Sequence, residues 1–238
     1  MNLSTTSDVT FVLTSCGRLD LLEQTLDSFL EFNDYPIREY LITEDSADPV
    51  IFKQCRKLNK DKYNNKLKFI FNKVKLGQSK SIDLAYSKVK TPFIFHCEDD
   101  WQFYKSGFIK DSIGILATQP KAIQVWIRAK ADGILNTINP QVYTIPGGYN
   151  VRVVEPCSFR ANADTVVHNY IGFSWNPGIK RLSDWKLLPD GYYGLRNEHL
   201  IDAHYRDLGY LTVSLSTNDQ EGFVQHIGWE RRTPNTIH

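Results

Sequence analysis

What this 238-residue sequence has little of narrows its reading first. Charge of one sign is not in excess: 28 lysines and arginines face 27 aspartates and glutamates, so nothing in the balance favours nucleic acid as a partner. Any anion site has to be local. No apolar run approaches the roughly 18 residues of a spanning helix, and the polar opening MNLSTTSDV has neither the basic nor the apolar region of a signal peptide. These features point to a cytosolic chain with no transmembrane segment. Cysteine is sparse, and Cys16, Cys55, Cys97 and Cys157 form no CxxC pair, which argues against zinc and for reduced thiols. No GxGxxG follows the first strand-like run, which disfavours a dinucleotide oxidoreductase. No internal repeat or low-complexity linker divides the sequence, so a single domain over residues 1–238 is expected.

What is present is a repeating alternation. VTFVLT (9–14) is β-branched and apolar, and Leu19, Leu22, Leu26, Phe29 and Leu30 follow at helical spacing. The pattern returns as EYLIT (39–43) before a segment carrying Val50, Ile51 and Cys55, as LKFIF (67–71) before GQSKSIDLAYSKV, and as PFIFH (92–96). Strands alternating with helices predict an α/β fold with a Rossmann-like, mostly parallel central sheet flanked by helices. After residue 104 the order loosens. SGFIKDSIGILAT reads as a helix, AIQVWI (122–127) as a strand, 128–170 as loop-rich with short strands, 178–187 and 196–208 as helical, and YLTVSL (210–215) as a strand.

In parallel sheets ligands gather beyond the carboxyl ends of the strands. Here those ends carry Thr14 and Ser15, Glu44 and Asp45, Asn72, and Glu98 to Asp100. The last group is the sharpest signal, because FIFHCEDDW (93–101) runs from a core strand into three consecutive acids. Like charges in a poorly solvated place resist joint ionisation, so a cation is expected. A hard divalent ion suits oxygen ligands and keeps positions open for a diphosphate. Asp45 admits two readings: acceptor for the ring N–H of uracil or guanine, or N-cap of the next helix within DSAD. Two acidic strand ends in one crevice suit a nucleoside diphosphate.

VTFVLTSCGRLDLLEQTLDSF, YLITEDS and KLGQSKSIDLAYSKVKTPFIFHCEDDW together resemble the nucleotide-binding half of GT-A fold glycosyltransferases, particularly family 2, over most of the first 108 residues. The resemblance implies a nucleotide-sugar-binding half over 1–104 and an acceptor-binding half over 105–238. It places Thr14 against the donor, with Ser15 and Arg18 in the same turn, and makes Asp45 the acid that reads uracil. Gln78 and Ser79, after Gly77, fall in the turn that enters a helix beside the nucleotide. Asp100 matches the metal-coordinating acid, with Asp99 and Glu98 towards the ribose and diphosphate. The sequence departs from the family at this motif, since a DxD register puts Cys97 and Asp99 in the acidic positions. Which aspartate meets the metal therefore stays open.

In the second half RNEHLIDAHYRDLGY offers Glu198, which the resemblance makes the general base of an inverting transfer; the plainer reading is a helix N-terminal acid. Asp202 reads as support for that helix or for Arg206 four residues on. His226, in GFVQHIGWERR, matches a histidine that completes the metal site, or is structural. Arg231 and Arg232 neutralise a leaving diphosphate or are solvated charges. Among the aromatics, Trp101 is expected at the site and Trp175, Trp185, Tyr192 and Tyr193 are not. The implied function is a glycosyltransferase dependent on Mn2+ or Mg2+ that uses a UDP-sugar donor and a carbohydrate or lipid-linked glycan acceptor, in surface polysaccharide or glycoconjugate synthesis. The implied location is cytoplasmic, at the cytosolic membrane face by peripheral association. A nucleotidyltransferase is a rival reading, although SCGRLD lacks a glycine-rich basic loop; a non-catalytic nucleotide- or sugar-binding module is another.

Overall fold

The computed structural model describes residues 7–134 and 136–231. Its first half alternates as the apolar pattern predicts: β1 (Val9–Ser15), α1 (Leu19–Phe32), β2 (Glu39–Glu44), α2 (Pro49–Tyr63), β3 (Leu67–Phe71), α3 (Gln78–Tyr86) and β4 (Phe93–Glu98). Then come β5 (Trp101–Phe103), α4 (Phe108–Thr118), β6 (Ala122–Trp126), β7 (Tyr143–Ile145), β8 (Tyr149–Val153), β9 (Cys157–Arg160) and β10 (Val166–Tyr170). The chain continues through β11 (Gly178–Arg181), the short helices α5 (Leu182–Trp185) and α6 (Gly191–Leu195), α7 (Glu198–Asp207), β12 (Leu211–Ser214) and β13 (Val224–His226).

The central sheet has the order β11-β4-β1-β2-β3. β4, β1, β2 and β3 are parallel, and β11 joins antiparallel against β4. All seven residues of β1 are buried, as a strand covered on both faces must be. Successive side chains go to opposite faces: Phe11 and Leu13 join one apolar cluster with Leu22, Phe29 and Phe95, while Val12 joins another with Ile82, Tyr86, Tyr192 and Tyr205. Both clusters draw on early and late parts of the chain, so the second half completes one core.

Residues 178–187 correct the helical expectation, because Gly178–Arg181 is strand and only Leu182–Trp185 is a helical turn. Without β11, β4 would present an open edge, yet Ile94, Phe95 and His96 are wholly buried and their backbone groups need partners. No period-two contrast advertises this strand: Ile179 is apolar and Lys180 is charged, and both are buried. AIQVWI and YLTVSL are strands as expected, but they pair with each other in a second sheet of order β6-β12-β8-β7. The helix after residue 196 starts at Glu198, where the Asn197 side chain accepts from Leu200 N at 3.0 Å.

Candidate functional site

Register aligns the polar strand ends. Ser15 lies beside Glu44, Thr14 beside Glu98, and Glu44 beside Phe71, so the carboxyl ends of β1 to β4 form one edge. Asp99 and Asp100 then turn the chain into β5, which pairs antiparallel with β13 and sets His226 opposite Trp101. This two-stranded ladder carries a C-terminal histidine back to the acids across more than 120 residues of sequence.

The three acids have separate surroundings. Glu98 accepts from the Gln78 amide and, at 3.4 Å, from Trp101 Nε1. Burial, with Asp100 and Glu198 as charged neighbours, pushes its carboxyl well above the usual range. Asp99 is 1% exposed and its oxygens are taken by Ser15 Oγ at 3.0 Å and by the Arg18 guanidinium. Burial raises it to about 6 against the pull of Arg18. Asp100 receives Arg18 Nη1 at 2.8 Å, and its Oδ2 lies 3.3 Å from His226 Nε2. Burial opposes its ionisation, but His226 and Arg18 outweigh that and hold it below the usual carboxylate range. The cation that the acids call for is, in this state, Arg18.

Asp45 is buried and not the cap of α2, whose N-cap is Asp48, accepting from Val50 N at 2.8 Å. The Asp45 carboxylate accepts from Asn72 Nδ2, Leu76 N and Gly77 N, each at 2.8 Å, and so fixes the turn that leads to Gln78 and Ser79. Glu44 holds the two neighbouring turns through Gly17 N and Ser46 N. Thr14 closes β1 in the same row.

A cleft of about 830 Å³ opens at this edge, within the range of small-molecule sites. Gln78, Ser79, Glu98, Asp100, Trp101 and His226 line it together with Trp175, Arg196, Asn197, Glu198 and His199. Thr14, Ser15, Arg18, Asp45 and Asp99 do not line it; they brace the residues that do. Glu198 sits in the first turn of α7 with its Oε1 accepting from Trp175 N at 2.6 Å, and burial raises its carboxyl against that bond and the charge of Lys180. Arg231 pairs with Asp20 and its carbonyl accepts from Arg18 at 3.1 Å, while Arg232 lies outside the described residues.

Two expectations change. Asp202 does not pair with Arg206: it accepts from Ile171 N at 3.0 Å and Phe173 N at 2.8 Å, because that buried loop has no other partner for those donors. Trp101 lines the cleft as expected, but so do Trp175, Trp126, Phe159 and Trp229, which sequence reading left out. The aromatic content of the 128–170 segment and its flanks was the one available signal. Trp185 and Tyr192 are core, bonded to Asp83 through Nε1 and the backbone N respectively, and Tyr193 is exposed.

Among the described residues no group of three or more His, Cys, Asp and Glu side chains forms a closed metal site. Asp100 Oδ2 and His226 Nε2 nevertheless fit two adjacent positions of an octahedral ion, which at bond lengths of about 2.1 Å lie about 3 Å apart. The mixed oxygen and imidazole set suits manganese, with the remaining positions left to phosphate and water. All four cysteines are free thiols.

The mostly parallel central sheet flanked by helices, with its polar strand ends on one edge, is a fold of the GT-A type. The family model described as Glycosyl transferase family 2 matches residues 10–188, and the chain belongs to that family. No curated protein is similar in sequence. Among solved structures, the mannosyltransferase PcManGT from Pyrobaculum calidifontis in complex with GDP-Man and Mn2+ is similar at a TM-score of 0.63 and 12% identity, covering 96% of this chain and 59% of its own. S. aureus TarS 1-349 in complex with UDP-GlcNAc gives 0.60 and 14%, covering 96% and 60%. GalNAc-T7 with UDP, GalNAc and Mn2+ gives 0.56 and 10%, covering 94% and 45%. This chain thus spans about three fifths of the length of the first two neighbours. No helix among the described residues is long and apolar enough to cross a membrane.

Proposed function

We propose that this chain is a metal-dependent, inverting glycosyltransferase that moves a sugar from a UDP-sugar to a hydroxyl of a carbohydrate or lipid-linked glycan, in surface polysaccharide or glycoconjugate synthesis at the cytosolic membrane face. The observation that carries the reading is a single cleft lined by Asp100, His226 and Glu198 together. At the margin of the cleft Asp45 accepts from the uracil N–H through the acceptor position that its bonds to Asn72, Leu76 and Gly77 leave, while Gln78 and Ser79 border the nucleoside and Thr14 and Ser15 support that edge from behind. Glu98 faces the ribose and diphosphate from the cleft wall, Asp99 stays behind it holding Ser15 and Arg18, and Arg18 exchanges its contact with Asp100 for phosphate oxygens. Asp100 and His226 hold Mn2+ or Mg2+, which when bound neutralises charge on the departing diphosphate. The cleft aromatics stack on sugar rings.

Glu198 takes the proton from the acceptor hydroxyl as that oxygen bonds to the anomeric carbon and the bond from that carbon to the diphosphate oxygen breaks. The nucleoside diphosphate leaves with the bonding electron pair. A carboxylate base raised above the ordinary range by burial is suited to this transfer. Calorimetric titration of UDP, GDP and CDP, with and without manganese, tests the donor site. UDP binding that requires manganese and is lost in Asp100→Ala is expected, and nucleotide binding indifferent to both would sink the reading. Glu198→Gln should keep UDP binding and lower turnover by about 10²- to 10⁴-fold; unchanged turnover removes Glu198 from the base role.

A further inference from the structure

The segment Ile171–Trp175 is buried, yet it belongs to no helix or strand. Side chains from several elements satisfy its backbone instead. Asp202 accepts from Ile171 N and Phe173 N. Gln124 donates to Gly172 O at 2.6 Å and accepts from Ser174 N at 3.4 Å. Lys180 Nζ donates to Ser174 O at 2.7 Å and to Gln124 Oε1. Glu198 Oε1 accepts from Trp175 N at 2.6 Å. The Ser174 carbonyl and the Trp175 N–H are the two ends of one peptide group, so that single peptide group lies between a lysine and the cleft glutamate.

We propose that Lys180 is a positioning residue for the transfer reaction, holding and polarising the Ser174–Trp175 peptide group so that its N–H aims the Glu198 carboxylate and favours its ionised form. This rests on the reading of Glu198 as the base. A cation on a carbonyl oxygen draws electron density from the attached nitrogen, and hydrogen bonds in such a chain strengthen one another. Fixing the peptide needs only a neutral donor, whereas a buried ammonium is costly to keep. Lys180 is 4% exposed, and its direct partners are both neutral. Burial draws its ammonium down to about 7, and the charges that oppose this are Glu198 and Glu98. The groups that bear on Glu198 are Lys180 from β11, Glu98 from β4, Asp202 from its own helix and Tyr170 from β10; of these, Lys180 is the cation.

The test is a pH titration of the Glu198 carboxyl by carbon-13 NMR, its signal assigned by its disappearance in Glu198→Gln. In Lys180→Met the midpoint should rise by about one pH unit or more, the usual effect of removing a nearby opposite charge. The acidic limb of kcat/KM should move with it, kcat near neutrality should fall by about tenfold, and donor KM should stay within about twofold. Lys180→Gln keeps a donor for Ser174 O but not the charge; it should shift the midpoint as well and carries the test if the methionine variant does not fold. Lys180→Arg should restore part of the wild-type profile. An unmoved midpoint in folded Met and Gln variants overturns the proposal. If Glu198→Gln loses turnover while that midpoint is unmoved, only Lys180 is wrong; if Glu198→Gln keeps full turnover, the base itself is wrong and the catalytic part of this inference falls with it.

Discussion

Arg18→Met removes the guanidinium that joins Asp99 and Asp100 while keeping most of the length of the side chain. Arg18 is 16% exposed, its partners 1% and 10%, so the charges are largely out of water. Breaking a buried pair from one side costs about 3 to 5 kcal/mol, because the partner charge is left uncompensated. At roughly 2 to 4 °C per kcal/mol for a chain of this size, melting at pH 7.5 without metal should fall by roughly 6 to 20 °C. The deficit should shrink on acidification. Asp99 is already raised to about 6 with Arg18 beside it, and without Arg18 it rises further, so protonation relieves the variant before it affects the wild type. Manganese should stabilise the variant more than the wild type, since Asp100 Oδ2 no longer carries a competing guanidinium. Metal at a hundred times its dissociation constant contributes about 2.7 kcal/mol. Calorimetric melts at pH 7.5 and 5, with and without manganese, read all three effects. A variant that melts with the wild type at pH 7.5 would refute the ion-pair argument, and an equal manganese shift would refute the competition.

Gly228→Ala should disturb Asp100 directly, because an added Cβ would lie 2.6 Å from Asp100 Cβ. Overpacking of this kind costs about 1 to 3 kcal/mol; manganese affinity should weaken with it, and normal metal binding by titration would contradict the placement. Asp202 is raised to about 6 from 3.8 by burial, so the folded state binds its proton more tightly than the unfolded chain does. Its contribution to stability is therefore fullest below pH about 4 and is lost as pH rises through about 6. Comparing melts of the wild type and Asp202→Asn between pH 4 and 7 should show a shallower slope in the variant, which keeps only the contributions of other raised carboxyls such as Asp99.

Much of the donor side was legible in sequence because its signals are local. Buried parallel strands need continuous apolar runs, and each run here ends where its polar group is needed, so Asp45 and Glu98 to Asp100 could be placed on one edge before any coordinate was known. Gln78 was legible because a turn into a helix has a recognisable glycine. The acceptor side was not legible in the same way. β11 resembles a helix in composition, since it is a short edge strand buried on both faces and its one lysine points inward. Asp202 looked like a helix residue with a partner four positions on, whereas the unsatisfied donors of a distant loop claimed it.

The sequence by itself determined the βαβ order, the acidic strand ends, the helix that starts at Glu198 and the membership these features announce, because helix and strand periodicity and capping act over a few residues. Only the tertiary structure decided which acid faces the cleft. Asp99 and Asp100 are chemically alike and adjacent and share Arg18, but the bend between β4 and β5 buries one beneath Ser15 and brings the other to His226. It also decided that Lys180, Ser174, Trp175 and Glu198 form one chain of hydrogen bonds. Those contacts join elements distant in sequence, and the need to satisfy every buried polar group, which selects them, acts only once the core has closed.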